Sequence, residues 1–159
     1  IQPVSGIIHM KKKVLFLDRD GVINVAAPEG NYIVSRTQFH LRPEIIPLIR
    51  FARAAGYLVI VVTNQRGVSL GKMTSSDLDD VHAYMRELLI DADADVDAVY
   101  SCMHGYGDNC ECRKPKPGML LAAARDLDID LSESVMVGDR ATDIEAGKAA
   151  GCKICLLIK

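Results

Sequence analysis

A chain of 159 residues, 49% hydrophobic and 25% charged, suits one soluble domain long enough to bury a sizeable core. Its net charge of -2 leaves no global footprint for nucleic acid, and no apolar run reaches the length of a membrane span. Residues 1–9 have neither the charged start nor the continuous apolar stretch of a signal peptide, and Met10 followed by three lysines reads as a natural beginning. Residues 1–9 are therefore expected to be an appended remnant, and residues 10–159 a single domain. Five cysteines could suggest disulfides, but nothing marks secretion and the size needs no staples, so the reducing cytoplasm is the expected location.

The first element is Val14-Leu15-Phe16-Leu17, apolar throughout and ended by Asp18-Arg19-Asp20-Gly21. Such a run reads as a parallel strand covered by helices on both faces. Asp18 then stands at its carboxyl end, Asp20 lies on the same side two residues on, and Gly21 lets the backbone turn. Residues 23–40 carry Pro28, Gly30 and Asn31 without a sustained period, which predicts a loop or small flap overhanging the acids. Residues 43–55 place apolar side chains at Ile45, Ile46, Leu48, Ile49 and Ala52, an amphipathic helix stopped by Gly56. A β-branched strand over 57–62 ends in Thr63-Asn64-Gln65-Arg66. Thr74 and Asp77 have the spacing of a capping box, opening a helix to about residue 90 with Leu78, Val81, Tyr84, Met85, Leu88 and Leu89 on one face. The aspartates of 91–97 read as a solvated linker, since the glycine and terminal glutamate of a calcium loop are missing.

A third strand over 98–101, an irregular loop over 102–112 and a helix over 119–127 come next. A fourth strand over 134–138 ends in Gly138-Asp139-Arg140. Thr142 with Glu145 forms a capping box for a helix to residue 150, and a fifth strand occupies 153–158. Alternating strands and helices predict a doubly wound parallel sheet with right-handed crossovers and no large cap domain. Ligands bind such sheets beyond the carboxyl ends of the strands, where Asp18, Thr63, Cys102 and Asp139 fall.

Asp18, Asp20 and Asp139 are carboxylates at adjacent strand ends, costly to gather unless a cation holds them. Oxygen ligands with no His or Cys among them select a hard ion, most simply Mg2+. Arg19, Arg66, Arg113, Lys114 and Arg140 form an expected anion-binding rim, and magnesium beside it points to phosphate. No Gly-x-x-x-x-Gly-Lys-Ser/Thr loop is present to cradle a nucleotide. Phosphoryl transfer to an aspartate remains. Asp18 would attack phosphorus while protonated Asp20 gives a proton to the leaving alcohol, then takes one from the hydrolytic water.

Asp18-Arg19-Asp20-Gly21-Val22, Thr63-Asn64-Gln65, Arg113-Lys114-Pro115 and Gly138-Asp139-x-x-x-Asp143 resemble the four ordered motifs of the haloacid dehalogenase (HAD) phosphatases, over nearly the whole chain from Met10. The resemblance implies a HAD-like Rossmannoid fold. It implies Asp18 as nucleophile and magnesium ligand, Asp20 as acid, base and ligand through its backbone carbonyl, and Asp139 as third protein ligand. Thr63 and Lys114 would hold the phosphoryl oxygens. Asp143 reads equally as a capping acid or as an outer magnesium contact.

Cys102, His104, Cys110 and Cys112 supply three thiolates and an imidazole, a complete tetrahedral set for Zn2+. A disulfide or a chance cluster is the alternative; close spacing, the histidine in register and Gly105, Gly107 and Asn109 between favour zinc. With four protein ligands the metal would be structural, its task to aim Arg113 and Lys114. Cys152 and Cys155 read as core thiols. Zinc in this loop before Cys-Arg-Lys-Pro is similar to two groups of HAD phosphatases, those taking the 7-phosphate from D,D-heptose 1,7-bisphosphate and those acting on histidinol phosphate. Val22-Ile23-Asn24, Thr63-Asn64-Gln65 and Pro117-Gly118-Met119 resemble the first group, while the short gap from His104 to Cys110 and the run from Gly138 to Asp143 resemble the second.

The heptose side is ahead, because a bisphosphate needs a second anion site that Arg113 with Arg66 or Arg140 supplies. Substrate contacts are expected from Asn64, Gln65, Arg66, Arg113 and Arg140, with Asn24 and Tyr32 as further candidates; a solvated surface arginine is the alternative for each cation. A nucleic-acid 3'-phosphatase is disfavoured by the lack of a basic stripe. A phospho-acceptor receiver or zinc-stabilised binding module is the reading from another class, and neither needs an acid at Asp20. The expected partner is a small phosphorylated substrate, with no nucleic acid and no membrane, and the expected state is a monomer.

Overall fold

Five parallel strands, β1 (Val14–Leu17), β2 (Leu58–Asn64), β3 (Ala98–Cys102), β4 (Val135–Gly138) and β5 (Ile154–Leu157), form one sheet in the order β3-β2-β1-β4-β5. The computed structural model describes residues 10–159, so the expected remnant over 1–9 lies outside the described residues. β1 is central and buried at all four positions because its side chains feed two cores. Leu15 and Leu17 pack with Ile45, Ile49 and Ala52 of α1 (Ile45–Ala54) and with Val81, Met85 and Leu89 of α2 (Ser75–Asp91). Val14 and Phe16 face the other way, against Met119, Leu120 and Ala123 of α3 (Gly118–Leu127) and Ala146 of α4 (Ala141–Ala150). Both faces being apolar, the strand shows no alternation.

From β1 the chain builds outward through β2 to β3, then returns across the sheet to place β4 on the other flank of β1. That reversal makes the carboxyl end of β1 the switch point, where a crevice opens between diverging connections. The register Leu17↔Val61 and Leu17↔Val137 sets the residues following β1, β2 and β4 side by side. The expected doubly wound sheet is therefore observed. Segment 23–40 is the expected irregular flap, with one short 3-10 turn at Arg36–Gln38.

The capping box of α2 forms as read: Asp77 N donates to Thr74 Oγ1 at 3.0 Å and Thr74 N donates to Asp77 Oδ2 at 2.9 Å. The last helix differs. It opens at Ala141, ahead of Thr142, because Asp143 rather than Glu145 reaches back, accepting the Arg140 N–H at 3.1 Å. Asp143 is buried and Glu145 exposed, so the acid that caps is the one facing the crevice. Cys152 and Cys155 pack, half-buried, against the α3–α4 core. No helix among the described residues is long and apolar enough to cross a membrane.

Candidate active site

Asp18, the first residue beyond β1, is met by a lysine from the far side of the sequence. Lys114 Nζ donates to Asp18 Oδ1 at 2.9 Å, to Asp143 Oδ1 at 2.6 Å and to the Val62 carbonyl at 2.8 Å. All three side chains are buried. The lysine arrives there because Asn64, the last residue of β2, pins its backbone in both directions: Lys114 N donates to Asn64 Oδ1 at 3.0 Å and Asn64 Nδ2 donates to Lys114 O at 3.1 Å. Burial opposes the Lys114 ammonium, yet Asp18 and Asp143 outweigh it and hold the lysine above its usual value. Burial, with Asp143 adding and Lys114 opposing, pushes Asp18 up to about 7.

Asp139 follows β4 and leans over the turn after β1. A Cβ on Gly21 would fall 1.9 Å from Asp139 Oδ2, and Gly21 holds φ +88°, so both the turn and the close approach demand glycine. Gly138 is under a similar constraint, since its Cβ would lie 2.2 Å from the Cβ of Asp143. Asp18, Asp139 and Asp143 offer carboxylate oxygens all within 4.8 Å of one another. One of them, Asp139 Oδ1, is buried with no protein partner. Three acids share one ammonium, so the cluster keeps negative charge and an open oxygen, the donor set that a hard divalent cation fits.

Asp20 is held apart from this cluster. Its Oδ1 receives Arg19 Nη2 at 2.8 Å, Arg19 Nε at 3.1 Å and Asn24 Nδ2 at 2.9 Å, and its Oδ2 receives Gln65 Nε2 at 2.9 Å. Burial works against the carboxylate, but the Arg19 charge and these hydrogen bonds outweigh it and hold Asp20 below its usual value. Every donor aimed at Asp20 favours its charged form, whereas the expected acid step uses the protonated one.

Four other expected site residues lie off the cleft wall. Arg19 is fully buried and belongs to no rim: its Nη1 lies 3.1 Å from His82 Nε2 on α2. Guanidinium nitrogens only donate, so Nε2 accepts and the imidazole proton sits on Nδ1. Burial first, then the Arg19 charge, push His82 down to about 4. Asn24 and Gln65 are buried, and both donate to Asp20. Thr63 is buried too, its hydroxyl accepting Gln65 Nε2 at 2.8 Å. The amides of Asn24 and Gln65 turn inward because the Asp20 carboxylate offers the stronger acceptor.

Above this floor opens a cleft of about 1040 Å³, walled by the flap over 26–33, Asn64, Arg66, the loop residues Tyr106 and Asn109, and Arg113 and Arg140, with Asp18 and Asp20 at its base. Tyr32, Asn64, Arg66, Arg113 and Arg140 all line this cleft. Arg66 Nε donates to the Tyr32 hydroxyl at 3.2 Å. The Arg66 and Arg113 guanidinium carbons lie 3.9 Å and 4.5 Å from the ring centroid of Tyr106, a residue the sequence reading did not single out.

The loop beyond β3 gathers Cys102, His104, Cys110 and Cys112, with ligand atoms within 4.8 Å of one another. Cys102 Sγ lies 3.5 Å from His104 Nδ1 and 3.6 Å from Cys110 Sγ, and His104 Nδ1 lies 3.2 Å from Cys112 Sγ. A tetrahedron with Zn–S bonds of about 2.3 Å has edges of about 3.8 Å, so the spacing could hold zinc. The thiols are free, not paired in disulfides. Burial first, then the neighbouring thiols, push Cys112 up to about 12, and a dication supplies what its thiolate form needs.

The family described as haloacid dehalogenase-like hydrolase matches residues 5–151. The chain belongs to this family. A hydrolase, and not a receiver or binding module, is what that match supports. The D-glycero-beta-D-manno-heptose-1,7-bisphosphate 7-phosphatase of Helicobacter pylori is 37% identical over 147 residues, covering 92% of this chain and 83% of the relative. The D-glycero-alpha-D-manno-heptose-1,7-bisphosphate 7-phosphatase of Burkholderia mallei is 42% identical over 156 residues, covering 94% and 81%. Among solved structures, the D,D-heptose 1,7-bisphosphate phosphatase from B. bronchiseptica, complexed with magnesium and phosphate, superposes with a TM-score of 0.83 at 35% identity, covering 89% of this chain and 78% of that one. In this HAD-like hydrolase the strand-end acids, the buried lysine and the cysteine loop therefore belong to a phosphatase-like scaffold.

Proposed function

We propose that this chain is a Mg2+-dependent phosphatase that removes the 7-phosphate of a D-glycero-D-manno-heptose 1,7-bisphosphate through an aspartyl-phosphate on Asp18. The observation that carries the reading is Asp18 at the base of an arginine-walled cleft, flanked by a buried ammonium and by carboxylates with an unpaired oxygen. The relatives carry the heptose name, which supports this substrate over histidinol phosphate.

Asp18, Asp139 and the backbone carbonyl of Asp20 hold the ion, and when bound it neutralises negative charge shared by Asp18 and the phosphoryl oxygens. An Asp18 oxygen attacks phosphorus, the bond from phosphorus to the sugar oxygen breaks, and Asp20 protonates the departing alcohol. Asp20 rests ionised and takes that proton from solvent as the substrate enters, the phosphoryl dianion raising its proton affinity. Asp20 then takes a proton from water as the water oxygen attacks phosphorus, releasing phosphate and restoring Asp18. Lys114 lies beside Asp18, where its charge steadies the phosphoryl group, while Asp143 holds Lys114 in place. Arg66, Arg113 and Arg140 receive the phosphate that is not cleaved, with Asn64 and Tyr32 beside them. A structural Zn2+ on Cys102, His104, Cys110 and Cys112 fixes the loop that delivers Arg113 and Lys114.

Phosphate release with Mg2+ from the heptose 1,7-bisphosphate and from histidinol phosphate tests the reading. Faster turnover of the heptose compound is expected; faster turnover of histidinol phosphate would reverse it.

A further inference from the structure

We infer that Tyr106 is a specificity-determining positioning residue whose ring holds Arg66 and Arg113 together as the seat for the second phosphate of a bisphosphate. The inference rests on the phosphatase reading above and extends it to a residue of the cysteine loop. Tyr106 is 71% exposed on the cleft wall, so its ring contributes little to any core. What it does touch is two cations. The Arg66 guanidinium, from the segment after β2, lies 3.9 Å from its centroid, and that of Arg113, which follows Cys112, lies 4.5 Å away.

Two guanidiniums repel each other, and drawing both to one ring uses the negative π face to hold them near. Neither forms an ion pair with a carboxylate among the described residues, whereas Arg19, Arg36, Arg42, Arg53 and Arg86 all do. Arg113 Nη1 is moreover buried without a hydrogen-bond partner. Lys114 cannot serve a second anion, because its three hydrogens are committed to Asp18, Asp143 and Val62.

The support is built from both sides. Tyr32 of the flap accepts from Arg66 Nε at 3.2 Å. On the loop, Gly105 N donates to Asp108 Oδ2 at 2.7 Å, and a Cβ on Gly105 would approach Ser69 Oγ to 3.1 Å, so the cysteine loop presses directly on the segment that carries Arg66. The chemistry that fits is a dianion held several bonds away from the reacting phosphate. A monophosphate leaves the seat empty and gains nothing from Tyr106.

The experiment compares Tyr106→Leu and Tyr106→Phe with wild type on three substrates: the heptose 1,7-bisphosphate, fructose 1,6-bisphosphate and p-nitrophenyl phosphate, with zinc content and melting temperature recorded. Tyr106→Leu is expected to raise KM for whichever bisphosphates the wild type hydrolyses by about tenfold, with kcat and p-nitrophenyl phosphate turnover unchanged. Tyr106→Phe keeps the ring face and is expected to match wild type. An equal loss on all substrates, no loss at all, or a wild type whose KM is no lower for bisphosphates than for p-nitrophenyl phosphate would overturn the inference. If the heptose compound is inert while fructose 1,6-bisphosphate shows the pattern, the heptose reading fails and Tyr106 keeps its role. Should Tyr106→Leu melt early, Tyr106→Trp decides: a KM for bisphosphates at or below wild type supports the inference, and one well above it overturns it.

Discussion

The floor of the cleft and its rim are built on opposite terms. On the floor, Lys114 is buried between Asp18 and Asp143, and buried Arg19 meets the neighbouring Asp20 and, on α2, His82. On the rim, Arg66, Arg113 and Arg140 line open space, two of them lying against an aromatic ring instead of a carboxylate. A buried charge pair fixes geometry because leaving it is costly, whereas a cation on a ring at the surface is held by a shallow well. The floor is thus suited to a reaction that needs fixed distances, and the rim to recognising what the rest of the substrate looks like.

Asp18→Asn on the floor should sharpen that contrast most, lowering phosphate release by at least about 10³-fold with little change in melting temperature. Turnover near wild type would remove Asp18 from the reaction. Lys114→Met leaves Asp18 and Asp143 buried without their cation, and urea titration should register a loss of about 3–5 kcal/mol together with inactivity. His82→Gln addresses the second charge pair. Its folded value of about 4 lies below the ordinary 6.5, so the unfolded chain binds the proton first. Stability from keeping this imidazole neutral is therefore complete above pH 6.5 and is lost as pH falls toward 4, by at most about 3 kcal/mol. Gln keeps an acceptor for Arg19 but does not titrate, so the variant's stability should slope less over that window. Zinc removal by a chelator acts from the rim inward and should lower kcat/KM by about 10²-fold, reversibly on adding Zn2+. A chelated enzyme with unchanged kinetics would uncouple loop and floor.

The run Val14–Leu17 and the acids after it were legible because a strand buried on both faces and a turn glycine leave local marks in the sequence. The cysteine cluster was legible through spacing alone. Arg19 and His82 were not, since their meeting depends on how α2 lies against the end of β1, with 63 positions between them. Asn24 and Gln65 were read as reaching outward because their motifs stand at strand ends, but a polar residue there can turn toward the acid as readily as toward solvent. Tyr106 left no sign, because its partners come from two loops that only the closed fold brings together.

Lys114 also has a consequence for how the molecule comes into being. It ties the end of β1, the end of β2 and the first turn of α4, at positions 18, 62 and 143, through one ammonium. A chain emerging from the ribosome holds two of those partners long before the third is made. Until α4 docks, the lysine has no complete set of acceptors and no reason to enter the interior. The three-point anchor of Lys114 is therefore complete only once α4 has docked.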